Sequence, residues 1–261
     1  MKVVCTTCCY RDLQRHELDE TLAGAPAAGY RYIDVHKFAL PADPAAARTA
    51  GAEVRATCLA GGLEPVGIYC AGFGGRDEAH LAAQVDQITR QLAFAQGLGV
   101  DRVVSSGAHR RGEGPFANVL ECLRRLEPAL AGTNLTLGVE PHYRSVIEQE
   151  SDFDTICAEF PNPQIGICPD IGHFYSAGVD VYRLLAKYPH RIVHTHIKDH
   201  IGTQSVGIGR GEIDVARFVR ALAEIGFAGC LALELEHLDK EHTQQYVYEA
   251  RVFLEGVLAT L

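Results

Sequence analysis

Three carboxylates and an imidazole stand out in this 261-residue chain because each sits at the end of an apolar run. Glu140 follows residues 135–139, Asp170 follows 164–169, and Glu234 follows Leu231-Ala232-Leu233. His196 lies in His194-Thr195-His196-Ile197-Lys198-Asp199, directly after Ile192-Val193. Such groups are rarely buried without partners, so four of them at four apolar ends are best read as partners of one another. Together they make an oxygen-rich site for one divalent metal ion. Mn2+ is the first expectation, with Mg2+, Co2+ or Zn2+ as other occupants. An ion held there can act as a Lewis acid toward a carbonyl oxygen. Three carboxylates leave about one negative charge in excess of a divalent ion, so a nearby cation is expected. Lys198, on the same strand face as His196, and Arg210 are the candidates.

The elements that must position these residues alternate regularly. Strand candidates cover residues 2–8, 30–35, 63–70, 102–105, 135–140, 164–169, 192–197 and 230–235. Helical patterns fall over 13–28, 44–60, 76–97, 116–130, 152–159, 181–187, 215–224 and 241–258. Asp180 and Asp214 read as N-caps, and Gly97 and Gly226 as helix ends. Strands apolar on both faces, each followed by a helix, predict a parallel sheet covered by helices. Eight units close a barrel, so the expected fold is α/β, a single (β/α)8 barrel with residues 1–261 as one domain. A doubly wound sheet would carry a glycine-rich phosphate loop after its first strand, and Cys8-Cys9-Tyr10-Arg11-Asp12 is not one. In a barrel the four candidates end strands five to eight, one β/α unit apart, and face one mouth. Strand alternation then puts Gly138, Cys168, His194 and Ala232 one layer below them.

Other residues should reach the same mouth. His142, in Glu140-Pro141-His142, and His173, in Asp170-Ile171-Gly172-His173, are candidates for substrate contact or proton transfer. Asp199 either orients His196 or Lys198 or caps its loop. Gly209-Arg210-Gly211 lets backbone approach a ligand closely, and Arg210 there could hold a hydroxyl, carboxylate or phosphate. Cys5-Thr6-Thr7-Cys8 has the spacing of a redox pair but lies in or just after a strand, so packing or pocket lining is the better reading.

Bulk properties narrow the partners. The net charge is −9 with no tryptophan and no basic block, which weighs against nucleic acid. Met1-Lys2-Val3-Val4 enters a strand directly, so no signal peptide is expected and the cytoplasm is the expected compartment, with the nine cysteines reduced. No run approaches about 20 apolar residues, so no membrane span is expected. The sequence leaves oligomeric state open, a homo-oligomer included.

The pattern Glu140-Pro141-His142, Asp170-Ile171-Gly172-His173, His196-Ile197-Lys198-Asp199, Gly207-x-Gly209 with Asp214, and Glu234-Leu235-Glu236 resembles the xylose isomerase-like barrel superfamily. More narrowly it resembles the sugar phosphate isomerase/epimerase group. The likeness is strong over 135–261 and architectural over 1–134. It implies a divalent metal on Glu140, Asp170, His196 and Glu234, with the two glutamates doubling as acid/base groups. It implies a carbohydrate substrate, contacted by His173. The expected reaction is proton abstraction beside a carbonyl, through an enediolate that the metal holds, ending in isomerisation or epimerisation. Loss of a β-hydroxyl from an inosose or keto-sugar, with a histidine such as His173 as acid, would make the protein a dehydratase instead. A barrel that only binds sugar is the non-catalytic alternative, against which the full ligand set counts. The family commonly has an acidic residue at the end of strand two, where this chain offers both Asp34 and His36. More remote endonuclease relatives add histidine ligands. His109 falls where one would lie, but the acidic chain weighs against DNA.

Overall fold

In the computed structural model, which describes residues 1–36, 40–237 and 239–261, eight parallel strands form one curled sheet. In chain order the strands are β1 (Lys2–Thr6), β2 (Tyr32–His36), β3 (Glu64–Tyr69), β4 (Arg102–Ser105), β5 (Thr136–Val139), β6 (Ile165–Ile167), β7 (His196–Ile197), an added hairpin β8 (Asp199–Ile201) and β9 (Gln204–Val206), and β10 (Cys230–Leu233). The sheet runs β6-β5-β4-β3-β2-β1-β10-β7. Parallel bridges Ile167–Ile192 and Asp170–His196 join its two ends, with Val193 N–H donating to Ile167 O at 3.0 Å. The expected barrel thus closes, with its seventh stave reduced to two ladder residues.

The helices are α1 (Glu17–Ala27), α2 (Pro44–Ala60), α3 (Glu78–Leu98), α4 (Ala117–Leu130), α5 (Glu150–Glu159), α6 (Ile171–Ser176), α7 (Val181–Lys187), α8 (Val215–Glu224) and α9 (Thr243–Leu258). Each long helix docks one apolar stripe on the sheet. In α8 this is Val215, Phe218, Val219 and Leu222, at helical spacing and all buried. Asp180 and Asp214 cap α7 and α8 through the backbone N–H groups of Tyr182 and Arg217. Among the described residues no helix is long and apolar enough to cross a membrane.

Gly97 corrects one expectation. Helix α3 runs through it to Leu98 and ends on left-handed Gly99, at φ 75°. A Cβ at Gly97 would sit 1.9 Å from Arg48 O, and one at Gly51 would sit 2.2 Å from Phe94 O. These glycines let α2 and α3 touch backbone to backbone, so Gly97 serves packing rather than termination. Gly226 does follow α8 in the left-handed region, at φ 76°. Two elements escaped sequence reading. Helix α6 is too short for a period, and the β8–β9 hairpin continues a strand pattern after only Lys198 intervenes.

Candidate metal centre

Ladder register brings the four candidate ligands to one level. Glu140 extends β5 by one bond, its N–H donating to Ser105 O at 2.9 Å. His196 is bridged to Asp170, and its N–H donates to Pro169 O at 3.1 Å. Ala232 pairs with His196 and Leu233 with Ile197, so Glu234 comes next, its N–H on Ile197 O at 3.1 Å. One ligand atom from each of Glu140, Asp170, His196 and Glu234 lies within 4.8 Å of the other three, and all four residues are buried. Ligands about 2.1 Å from a six-coordinate ion stand about 3 to 4 Å apart, so the cluster has the size of one metal shell.

The fit extends to charge. Three buried carboxylates would each cost several kcal/mol without compensation. Lys198, only 1% exposed, lies 3.1 Å from Asp170 Oδ2, 3.5 Å from Glu234 Oε2 and 2.9 Å from Glu236 Oε2. One lysine and one divalent ion neutralise three carboxylates. Asp170 Oδ2 and Glu234 Oε2 are buried and lack an aligned hydrogen bond, as ligand oxygens would. The other oxygen of Asp170 accepts from His173 N–H at 2.8 Å, capping α6. That cap locks the carboxylate's rotation, and the same residue both starts a helix and faces the centre.

Protonation follows from the packing. Burial opposes charge on His196, yet Glu234 and Glu140 outweigh it and hold the ring protonated. Its Nδ1 bonds Glu140 and lies 2.9 Å from Glu234 Oε2. An ion on that seat would release the proton, since a metal ligand must be neutral. Burial raises Glu140, with His196 only partly offsetting it. For Glu234 burial is overcome by Lys198 and His196, which hold it well below the usual carboxylate range. The two glutamates thus sit in unlike surroundings around one centre.

The other sequence candidates divide. His142 and His173 pack together at the mouth with ring centroids 3.8 Å apart and planes tilted by 36°, and His173 Nε2 lies 3.0 Å from Lys198 Nζ. Arg210 goes elsewhere. Its guanidinium pairs with Glu249 on α9 at 2.7 Å and stacks over Tyr246 at 4.8 Å, half exposed. The reason lies in Asp199, whose carboxylate accepts backbone N–H groups from Gly209 and Gly211 at 2.9 Å and from Ile213 at 3.2 Å. A Cβ at Gly211 would sit 2.1 Å from Asp199 Oδ1. The glycine loop therefore closes on the chain's own carboxylate, and Arg210 is turned outward. Asp199 caps this loop and orients neither His196 nor Lys198.

Three contacts were not expected from the sequence, although it singles out Asp34, His194 and Glu236 themselves. Glu236 reaches Lys198; its position two residues past Glu234 on one strand face was the available signal. Tyr69 stacks on His36 at 4.8 Å, stands 6.0 Å from the His196 ring and shares a 2.7 Å hydrogen bond with Ser106. One layer below the centre, Asp34 Oδ2 lies 2.7 Å from His194 Nε2, both side chains 1% exposed. Gly67 makes room for Asp34, since a Cβ there would meet Asp34 Oδ1 at 2.8 Å. His36 points instead at Tyr69 and at Arg11, which lies 3.3 Å from its Nδ1. Cys5, Cys8 and Cys9 are buried and free, and burial raises the Cys8 and Cys9 thiols well above their ordinary value, against redox use.

Comparison with known proteins places this arrangement. A family model described as xylose isomerase-like TIM barrel matches residues 22–255. No protein of curated function matches the sequence. Among solved structures, the zinc-bound IolI protein superposes with a TM-score of 0.78 at 19% identity, covering 100% of this chain and 99% of its own. The 3-keto-D-glucoside 4-epimerase YcjR of E. coli gives 0.79 at 18% identity, with 98% and 99% covered. An L-ribulose 3-epimerase gives 0.78 at 19% identity, with 100% and 95% covered. At such identities the likeness speaks for the fold.

Proposed function

The chain belongs to the xylose isomerase-like TIM barrel family, and on that premise we propose that it is a metal-dependent isomerase or epimerase of a small sugar, keto-sugar or sugar phosphate. The observation that carries this reading is the set of four buried ligand atoms within 4.8 Å, drawn from four strand ends. Similarity to the two epimerases and to the zinc-bound IolI protein supports it.

Glu140, Asp170, His196 and Glu234 would hold the ion, and the ion would supply Lewis acidity toward a substrate carbonyl and its neighbouring hydroxyl. One of the two glutamates takes the proton from the carbon beside the carbonyl, and the other stands on the same centre to return one. Proton return to the opposite face epimerises, and return to the neighbouring carbon isomerises. Lys198 offsets the excess carboxylate charge and, with His173 beside it, presents donors to substrate hydroxyls. Tyr69 and His142 line the approach to the site. The pair of His142 and His173 also favours a dehydratase as the second reading, with His142 the ring placed to protonate a departing hydroxyl, because burial and then Lys198 hold His173 well below the ordinary histidine range.

The test is metal content of the purified protein, then deuterium uptake from D2O into a panel of ketoses, ketose phosphates and inososes. Stoichiometric divalent metal with exchange on at least one substrate is expected. Metal without exchange on any of them would sink the proton-transfer reading, and product loss of water would move it to the dehydratase.

A further inference from the structure

Beside the metal centre lies a second feature that the proton-transfer chemistry does not use. The loops after β3, β4 and β5 enclose a cavity of about 550 Å³ at the same end of the barrel. It shares Tyr69 and His142 with the centre's surroundings, so one molecule can occupy both spaces. Arg76, Arg110 and Arg144 line it, one from each loop, on a chain whose net charge is −9. Its one lining carboxylate, Glu113, is already engaged by the Arg76 guanidinium at 3.3 Å and the Arg110 N–H at 3.3 Å. Among the described residues neither Arg110 nor Arg144 has an ion-pair partner; Arg144 lies over the Tyr143 ring at 5.0 Å.

Two independent observations mark the cavity as a ligand space. His109 is 5% exposed on its wall, and neither ring nitrogen has an aligned partner, although the Gly114 backbone lies beside it. Burial lowers its pKa, so the ring is neutral and can donate from one nitrogen. Among the described residues Arg144 is one of two non-glycine residues in the left-handed region, at φ 63°, with its N–H tied to Glu148 Oε1 at 2.6 Å. Backbone strain of this kind persists only where surrounding structure imposes it, and it clusters at ligand clamps.

We propose that this cavity is an anion subsite, seating the phosphate or carboxylate of an acidic sugar whose carbonyl end lies at the metal centre. The inference rests on the isomerase/epimerase reading and names its substrate class. Guanidinium forks from separate loops match the oxygens of either anion, and the neutral His109 adds a donor.

The experiment starts with inorganic phosphate titrated into the full chain after metal removal by chelation, read by calorimetry and by histidine ring NMR. Saturable binding that shifts the His109 resonance is expected. It should weaken at least tenfold in the double variant Arg110→Ala, Arg144→Gly, where glycine keeps the left-handed turn. Glu234→Gln should keep phosphate binding. No saturable binding, or equal affinity in the double variant, overturns the subsite. Deuterium exchange then compares a ketose phosphate, a hexuronate and the matching neutral ketose. A KM at least tenfold lower for the phosphate or for the hexuronate identifies the anion. A KM lowest for the neutral ketose overturns the subsite while the isomerase reading stands. Phosphate binding with no sugar exchanged sinks the isomerase reading and leaves the anion seat.

Discussion

The two halves of the barrel mouth are built differently. Glu140 and Glu234 directly follow β5 and β10, Asp170 lies three residues past β6, and His196 opens β7; the four converge on one centre with Lys198 among them. Among the first four strands, β2 carries one buried carboxylate, Asp34, which pairs with His194 below the centre; the loops after β3 and β4 supply Arg76, His109 and Arg110 to the arginine-lined cavity, which the loop after β5 completes with Arg144. The difference teaches where demands are strict. An ion fixes ligand type and position to fractions of an ångström, so its residues sit on strand ends. A substrate wall can be met by many side chains on loops.

If the contrast is real, the largest effect belongs to the second half. Glu234→Gln should cut deuterium exchange about 100- to 10,000-fold, as loss of a positioned base does. Circular dichroism should show the fold retained, and near-normal exchange would move the chemistry off that half. Next comes a first-half residue acting through structure. Asp34→Ala leaves His194 buried with its ring unopposed and should cost about 3–5 kcal/mol in urea unfolding. A cost below 1 kcal/mol would mean the layer under the centre is dispensable.

His36 gives a smaller, pH-dependent effect. Burial lowers its pKa to about 4, with nearby Glu234 only partly offsetting this. The unfolded chain binds a proton near pH 6.5 that the folded chain refuses until about pH 4. The folded state therefore has this stability in full above pH 6.5, and loses about 3 kcal/mol as pH falls to 4. His36→Gln should flatten the stability profile across that window; an unchanged slope would place the titration elsewhere. Smallest of all, Arg210→Ala should change exchange less than twofold, because its guanidinium faces Glu249. A tenfold rise in KM would return Arg210 to the site.

Much of the second half was legible because its signals are local. An apolar run ending in a carboxylate or histidine states which residue reaches the rim, and the β/α spacing states which rims are neighbours. Lys198 was reached by the same period-2 logic, and Glu236 lay within its grasp. The failures share one cause. Arg210 was given to the site because glycines flank it, but glycines say only that backbone passes close to something. Asp199 turned out to be that something. Gly97 was read as a helix end for the same reason, when α2 was the close neighbour.

What the chain order determined by itself is the alternation of strands and helices and the identity of four strand-end groups, because hydrophobic period and chain direction are properties of consecutive residues. Only the folded barrel decided that Asp34 meets His194, that Tyr69 stacks on His36, and that arginines from three loops share one cavity. Those contacts join residues far apart in sequence, and barrel closure alone sets the distances between them.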